Sequence, residues 1–418
     1  MAALTALIDS RLAGLPRKLA LEWPGGRAGS SQADVRLRLR DIRLLRALAR
    51  GDIGHVADAY VRGQLDIEGS LHDVMAVAAA LVGNPVELGS QRRWQVWLQR
   101  WSVQWARRKD ADAQQVQFHY DVSDDFFALW LDPLRVYSCA YYAEPSMTLA
   151  QAQQAKLDHV CRKLALRPGL RLLDVGAGWG ALLLWAAEHY GVEAVGITLS
   201  KNQHAHVNRL ITERGLSARV QMRLLDYRDL PAAERFDRVA SIGMFEHVGR
   251  ARLTAYFLHL RQRLHPGGLV MNHGITAGGV DNAQLGAGMG DYIEKYIFPG
   301  GELEHVSRVV LSLSQAGLEL LDAENLRPHY ARTLWAWSRG LEQQLDRARE
   351  LTSEATVRAF RMYLAGCAMG FERGWLSLYQ LLAAHPDGQV EGRTLPGAQS
   401  AYPFQRAYMY GGSRDEHH

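Results

Sequence analysis

Cysteine is scarce in this chain, at three of 418 residues. Cys139, Cys161 and Cys367 are too far apart to form a metal-binding spacing or a disulfide framework, so reduced thiols are expected. Long apolar runs are missing as well. No stretch reaches the about 18 apolar residues needed to span a bilayer, and the first residues show no basic region followed by an unbroken apolar core. Neither a membrane span nor a signal peptide is therefore expected, and the expected location is the cytoplasm. Charge of one sign is also lacking: 48 Lys and Arg against 44 Asp and Glu leave a net +4. That is too little to indicate nucleic acid, although local basic clusters can still meet an anionic surface. What remains has the composition of a globular protein, 48% hydrophobic and 22% charged, long enough for two domains.

Within it, Leu172-Leu173-Asp174-Val175-Gly176-Ala177-Gly178-Trp179-Gly180 reads as a strand entering a glycine loop, and the following Ala181 to Ala187 as a helix. Glycines belong at such a turn because it needs positive φ and because a Cβ would keep the backbone from a ligand. A Gly-x-Gly-x-Gly loop alone is equally a tight turn with no ligand. The second strand, Val192 to Thr198, ends in Gly196-Ile197-Thr198-Leu199-Ser200, where a dinucleotide enzyme would carry a ribose-binding acid. A third strand closes with Leu225-Asp226-Tyr227-Arg228-Asp229, and Phe236 to Gly243 forms a fourth. This order weakens a dehydrogenase reading and is that of S-adenosylmethionine-dependent methyltransferases. With the strand at Leu269 to Ile275, a parallel α/β core is predicted over about residues 170–275.

Before that core, residues 1–85 read as a first unit. Val35-Arg36-Leu37-Arg38-Leu39-Arg40 alternates with period two, placing its arginines toward solvent or toward a phosphate. Residues 86–116 form a basic linker in which Trp94, Trp97, Leu98, Trp101 and Trp105 recur at helical spacing. Such a helix suits a membrane surface, or packs its rings on the next domain. The stretches Phe118 to Phe127 and Tyr137 to Tyr142 are crowded with aromatic and polar residues and read as a pocket wall. Leu149 to Leu166 is an amphipathic helix, Tyr292 to Gly301 an inserted lid or pocket element, and Thr333 to Leu351 and Ala355 to Leu382 long helices. A catalytic domain over 117–385 and a tail over 386–418 complete the expected organisation.

Six motifs carry a resemblance: Phe118-His119-Tyr120-Asp121, Tyr137-Ser138-Cys139-Ala140-Tyr141, the glycine loop, Gly196 to Gln203, Met244-Phe245-Glu246-His247-Val248-Gly249, and Tyr296-Ile297-Phe298-Pro299. In this order the chain resembles the cyclopropane-fatty-acyl-phospholipid synthases, which are similar to the mycolic acid cyclopropane synthases. The resemblance covers about residues 115–385, and the first unit looks like the smaller lipid-binding-like domain of the longer members. It implies a class I methyltransferase fold of the α/β class, a Rossmann-like doubly wound sheet with a smaller N-terminal α+β domain. The implied reaction moves the methyl of S-adenosylmethionine to a cis double bond of a phospholipid acyl chain. Bicarbonate assists proton removal, and the ring closes to cyclopropane. Also open are a fatty-acyl C-methyltransferase giving methyl- or methylene-branched chains, and an inactive lipid-binding relative.

Carried over by motif, Cys139, Glu246, His273, Ile275 through its backbone, and Tyr330 are the implied catalytic and bicarbonate set. Tyr137, Ser138, Asp174, Gly176, Gly178, Thr198, Gln203 and Asp226 are the implied cofactor set. Phe245, Tyr292 and Tyr296 are aromatic rings suited to face developing positive charge. Taken singly, Cys139, His273 and Tyr330 read equally as packed core residues. No metal is expected. The implied partners are unsaturated phospholipid chains at the inner membrane face, with a homodimer possible and no nucleic acid. Two departures stand out: Gly-Ala-Gly-Trp-Gly replaces a form with cysteine, and Met271-Asn272-His273-Gly274-Ile275-Thr276 replaces His-Thr-Ile-Gly, which leaves substrate and product open.

Overall fold

The computed structural model describes residues 8–10, 12–82, 123–280, 289–297, 302–390, 393–394, 399, 402 and 405–411. The tryptophan-rich linker at 86–116, the Phe118-His119-Tyr120-Asp121 motif, Phe298 and Pro299, and much of the tail lie outside the described residues. The chain divides into two compact units. The first comprises Met1–Trp130, Ala283–Gly300 and Leu334–Leu376, and the second Leu131–Asn282, Gly301–Thr333 and Ser377–His418.

The first unit holds a four-stranded sheet in the order β2-β1-β3-β4, from β1 (Leu19–Trp23), β2 (Gly26–Gly29), β3 (Val35–Leu39) and β4 (Leu65–Glu68). The period-two pattern of β3 does what it predicts: Val35, Leu37 and Leu39 are buried while Arg36 and Arg38 face outward. The arginines meet acids, not an open anion site. Arg36 and Arg38 pair with Glu22 at 3.1 and 3.0 Å, Arg38 with Glu68 at 2.8 Å, and Arg40 with Asp66 at 3.3 Å. The row is thus a solvated ion ladder. In the same unit, the helix Met289–Tyr296 lies against Ile53–Val61, with Lys295 Nζ 2.5 Å from Asp58 Oδ1 and the Tyr296 hydroxyl donating to the same oxygen at 2.6 Å. The Tyr292 hydroxyl donates to the Ala359 carbonyl at 2.9 Å, on the helix Glu354–Glu372.

The second unit is built on a seven-stranded sheet in the order β10-β11-β9-β8-β5-β6-β7. Its members are β5 (Arg171–Val175), β6 (Glu193–Thr198), β7 (Val220–Leu224), β8 (Phe236–Ile242), β9 (Leu264–Ala277), β10 (Glu319–Asn325) and β11 (Leu376–Ala384). Strands β5 to β9 pair in parallel, and β10 with β11 antiparallel. Two cores, one on each face, explain the near-continuous apolar runs of the central strands. Leu172 joins the core formed with Leu157 and Val160, Leu183 and Ala187, and Val207 and Ile211. Its neighbour Leu173 joins the other, formed with Tyr256, Phe257 and Leu260, and Val309 and Leu313. Helices on both faces make this the expected doubly wound class I methyltransferase sheet, with the smaller sheet of the first unit beside it in the sequence.

One element differs from its expectation. The helix Glu354–Glu372 ends at Arg373, Gly374 takes φ +73°, and Leu376–Ala384 is the strand β11. Its leucine- and alanine-rich run, interrupted by Ser377 and Gln380, suits a helix or a buried strand alike, and pairing between β10 and β9 decides it. Among the described residues, no helix is long and apolar enough to cross a membrane.

Candidate active site

Strand β5 sits mid-sheet with β6 on one side and β8 on the other. A crevice therefore opens beyond the carboxyl ends of these strands, where the chain's winding reverses and ligands bind in such sheets. The glycine loop occupies it. Gly176 has φ +77°, and a Cβ there would lie 2.6 Å from Met244 Sδ, so only glycine fits. Gly178 also has positive φ, at +57°, but a Cβ there would meet nothing within 4 Å, which marks the open side of the turn. The amides of Gly176 and Ala177 both donate to the Ile197 carbonyl, at 3.1 and 3.0 Å, tying the loop to the end of β6.

Around this turn the expected cofactor residues fall into place by strand. Asp174 is buried in β5, and burial pushes its carboxyl up to about 7 against the pull of Lys156. The Thr198 hydroxyl, at the end of β6, donates to Gln203 Oε1 at 2.7 Å, which leaves the Gln203 amide NH2 to meet an acceptor. Asp226 follows β7 and is engaged by Arg228: its Oδ1 accepts from the Arg228 backbone and Nε at 2.9 Å, its Oδ2 from Nη2 at 2.7 Å. Those bonds hold its carboxyl below the usual range. Ser138 lies further off in sequence, its hydroxyl accepting from Lys156 Nζ at 3.0 Å, and Tyr137 beside it is half-buried. An open glycine turn, a spare amide and a buried carboxylate fit a nucleoside bearing an amino-acid group.

A second group joins the Tyr137–Tyr142 segment to the start of the helix Arg327–Glu342. Cys139 is fully buried, with Sγ 3.2 Å from the Ala140 carbonyl and 3.9 Å from that of Leu326. Burial drives its thiol far above the usual range, which favours the protonated form. The Ala140 amide donates to Thr333 Oγ at 3.1 Å, and that of Tyr142 to His329 Nδ1 at 2.9 Å, while the Tyr141 ring stacks between His159 and His329. Tyr330, buried in the same helix turn, is brought to this segment by those contacts.

The third group sits at the ends of β8 and β9. Glu246 lies in the short turn Phe245–His247, buried, and its Oε1 accepts the Ile275 amide at 2.7 Å. Burial raises its carboxyl to about 7, partly offset by that bond. His273 pairs with Ile242 across the sheet and lies two residues before Ile275. Burial, with Lys156, Lys163 and His159 around it, holds its imidazole well below the usual range, against Glu324. Glu246 Oε2 and His273 Nε2 are both buried and have no partner among the described residues. Buried polar atoms are nearly always bonded, so each of these two atoms leaves a hydrogen bond for a water or a polar ligand to make. Ile275, expected to act through its backbone, is thereby tied to Glu246 by its amide.

Three residues went unnoticed in the sequence. Gln153 donates to the Ser138 carbonyl at 2.9 Å, Lys156 holds the Ser138 hydroxyl, and Gln380 lies 3.2 Å from His273 Nδ1. Gln153 and Lys156 share a helix stripe with Leu157 and Val160, and polar residues on an inward stripe were the available signal. Tyr292 and Tyr296 belong to the first unit, where their hydroxyls are bonded as described above.

The family model described as mycolic acid cyclopropane synthetase matches residues 107–381. A probable fatty acid methyltransferase of Pseudomonas putida is 44% identical over 377 residues, covering 89% of this chain and 92% of that protein. The solved cyclopropane synthase MmaA2 from Mycobacterium tuberculosis is 39% identical, with a TM-score of 0.61 over 65% of this chain and 97% of its own. The mycolic acid cyclopropane synthase CmaA1, solved with SAH and CTAB, matches with the same identity, score and coverage.

Proposed function

The chain belongs to the mycolic acid cyclopropane synthetase family and is an S-adenosylmethionine-dependent methyltransferase, and we propose that it methylates carbon in an unsaturated fatty-acyl chain. The observation that carries the acyl substrate is the match to a probable fatty acid methyltransferase across nearly the whole of both proteins. Bound S-adenosylmethionine supplies the electrophilic methyl group. The chain must position it, exclude water and accept a proton.

In this reading the Gly176–Gly180 turn, Asp174, Thr198 with Gln203, Asp226, Tyr137 and Ser138 hold the cofactor. Release of Arg228 would free Asp226 for a ribose hydroxyl. Methyl addition to one alkene carbon leaves the other electron-poor. Loss of a proton from the added methyl then gives either a ring, if that bond's electrons close on the cation directly, or an exocyclic methylene, if a hydride first shifts from the methylated carbon to the cation so that the charge moves next to the methyl. Both need an acceptor shielded from water, and the Glu246–His273 pair is where the chain offers one. Cys139 and Tyr330 complete the wall, Cys139 as a thiol and Tyr330 as a hydroxyl donor. The unpartnered Glu246 Oε2 and His273 Nε2 suit an oxyanion between a protonated carboxyl and an imidazole N–H. Bicarbonate held by Glu246, His273 and Tyr330 would supply the proton acceptor.

A branched or methylene product is the first reading, because the relative matched across nearly its whole length is described as a fatty acid methyltransferase. Ring closure is the second, favoured by the cyclopropane synthases at 39% identity. Phospholipid chains at a membrane surface, met by a peripheral enzyme on the inner face, belong to this proposal. Incubation with S-adenosylmethionine and cis-monoenoic phospholipid vesicles should give a gain of one CH2 per chain. Proton NMR then separates vinylidene signals from upfield ring methylenes. Cofactor binding without any gain, on phospholipids, thioesters and free acids alike, would overturn it in favour of an inactive lipid-binding relative.

A further inference from the structure

We infer that Gln380 is a positioning residue that fixes the tautomer of His273, so that the imidazole presents an N–H, and not a lone pair, at Nε2. The inference rests on the methyltransferase reading above only for its consequence, since the contact itself is a matter of geometry. Gln380 lies in β11 and is fully buried. Its Nε2 stands 3.2 Å from His273 Nδ1. An amide NH2 can only donate, so Nδ1 must accept with its lone pair. His273 is neutral, because burial first, with Lys156, Lys163 and His159 near it, outweighs Glu324. A neutral ring carries one proton, and with Nδ1 accepting it sits on Nε2. That Nε2 is buried and has no partner among the described residues.

This divides the labour in the pair. His273 donates a hydrogen bond and takes no proton itself, so proton acceptance falls to the oxyanion proposed above. The ring is held from behind, as the ring orienters of other enzymes hold theirs, but by an amide in place of a carboxylate. A carboxylate would demand a proton on Nδ1 and would favour a charged ring beside the site of proton loss. The neutral amide sets the opposite tautomer and adds no charge. Leu378, two residues earlier on the same strand, accepts the Leu326 amide at 2.9 Å, so β11 also fixes the helix that carries Tyr330.

The test is long-range 1H–15N correlation on protein labelled at histidine, with His273→Asn to assign the signal among the 16 histidines. Wild type should show His273 with its proton on Nε2. Gln380→Glu should move that proton to Nδ1 or give a doubly protonated ring, and lower kcat about tenfold or more with KM for S-adenosylmethionine nearly unchanged. Gln380→Met, which keeps volume without a donor, should mix the two tautomers and give an intermediate kcat, and it serves if the glutamate variant fails to fold. A wild-type ring protonated on Nδ1, or a tautomer untouched by both replacements, would overturn the inference. If no acyl chain is methylated, the spectrum still decides the tautomer, so the two failures are told apart.

Discussion

Glu246, in the role proposed above, would serve chemistry at the expense of the fold. Its carboxyl titrates near 4.5 in an unfolded chain and at about 7 here, raised first by burial. Between those values the folded protein holds more protons than the unfolded one, so stability falls as pH rises through that window, and the full loss persists above it. Glu246→Gln removes the ionisable group. Relative to wild type, the variant should gain stability from pH 4.5 to about 7, up to on the order of 3 kcal/mol, in denaturant unfolding of the cofactor-free protein, while methyl transfer is lost. A flat difference across that range would place the carboxylate in contact with water. Gly274 is the neighbouring case. A Cβ on it would lie 2.0 Å from Phe245 Cε1, so the glycine that departs from the family pattern is the space into which the Phe245 ring fits. Gly274→Ala should cost about 1–3 kcal/mol by overpacking and lower turnover, because Phe245 carries Glu246 next to it. Adding Phe245→Leu should restore melting temperature; a single variant as stable as wild type would remove this account. Glu246, His273 and Tyr330 are candidates that the family resemblance puts forward from the sequence. Gln380 was not legible there, since its partner lies 107 residues away and only the β9–β11 neighbourhood joins the two.

Among the elements, the helix Leu149–Lys163 was readable to within a turn, because its start is written locally. Thr148 accepts the Gln151 amide at 3.3 Å and the Gln151 side chain accepts the Thr148 amide at 2.9 Å, a reciprocal capping box. This helix carries Gln153 and Lys156 under the Tyr137–Tyr142 segment, so its cap supports the site at one remove. Thr148→Ala should destabilise by about 1 kcal/mol, seen as a lower denaturation midpoint with an unchanged slope, and leave the cofactor dissociation constant within about twofold, well under the tenfold that 1.4 kcal/mol would bring. A larger loss of cofactor binding would mean that the first turn touches the site directly. Strand β11 is the contrasting element. Leu376-Ser377-Leu378-Tyr379-Gln380-Leu381-Leu382-Ala383-Ala384 is rich in leucine and alanine, good helix formers, and contains no β-branched residue. It is a strand because β10 pairs with it and because Gly374, in the left-handed region, breaks the helix before it. Tertiary pairing overrides local preference here, and no local pattern could have announced it.

For the whole molecule, the parallel sheet was legible because each of its strands is an apolar run ended by a turn signal, whereas the grouping of residues 283–300 and 334–376 with the N-terminal sheet comes from contacts that no shift in composition marks. Delivery to a lipid substrate would likewise be a property of the whole chain, and the tryptophan-rich linker is the stretch proposed for it. Trp94, Trp97 and Trp101 recur at helical spacing between Arg92, Arg93, Arg100, Arg107, Arg108 and Lys109. Rings at the headgroup boundary with flanking cations on anionic lipid would hold the enzyme where acyl chains are. Replacing these three tryptophans by alanine should then release the protein from sedimenting phosphatidylglycerol vesicles while S-adenosylmethionine affinity stays nearly unchanged. The charged part should respond separately: raising salt from about 0.1 to about 1 M shortens screening from about 10 to about 3 Å, and wild type should lose part, but not all, of its vesicle binding. Sedimentation unchanged in the triple variant would assign the rings to packing between domains, and the enzyme would have to meet its lipid through another surface.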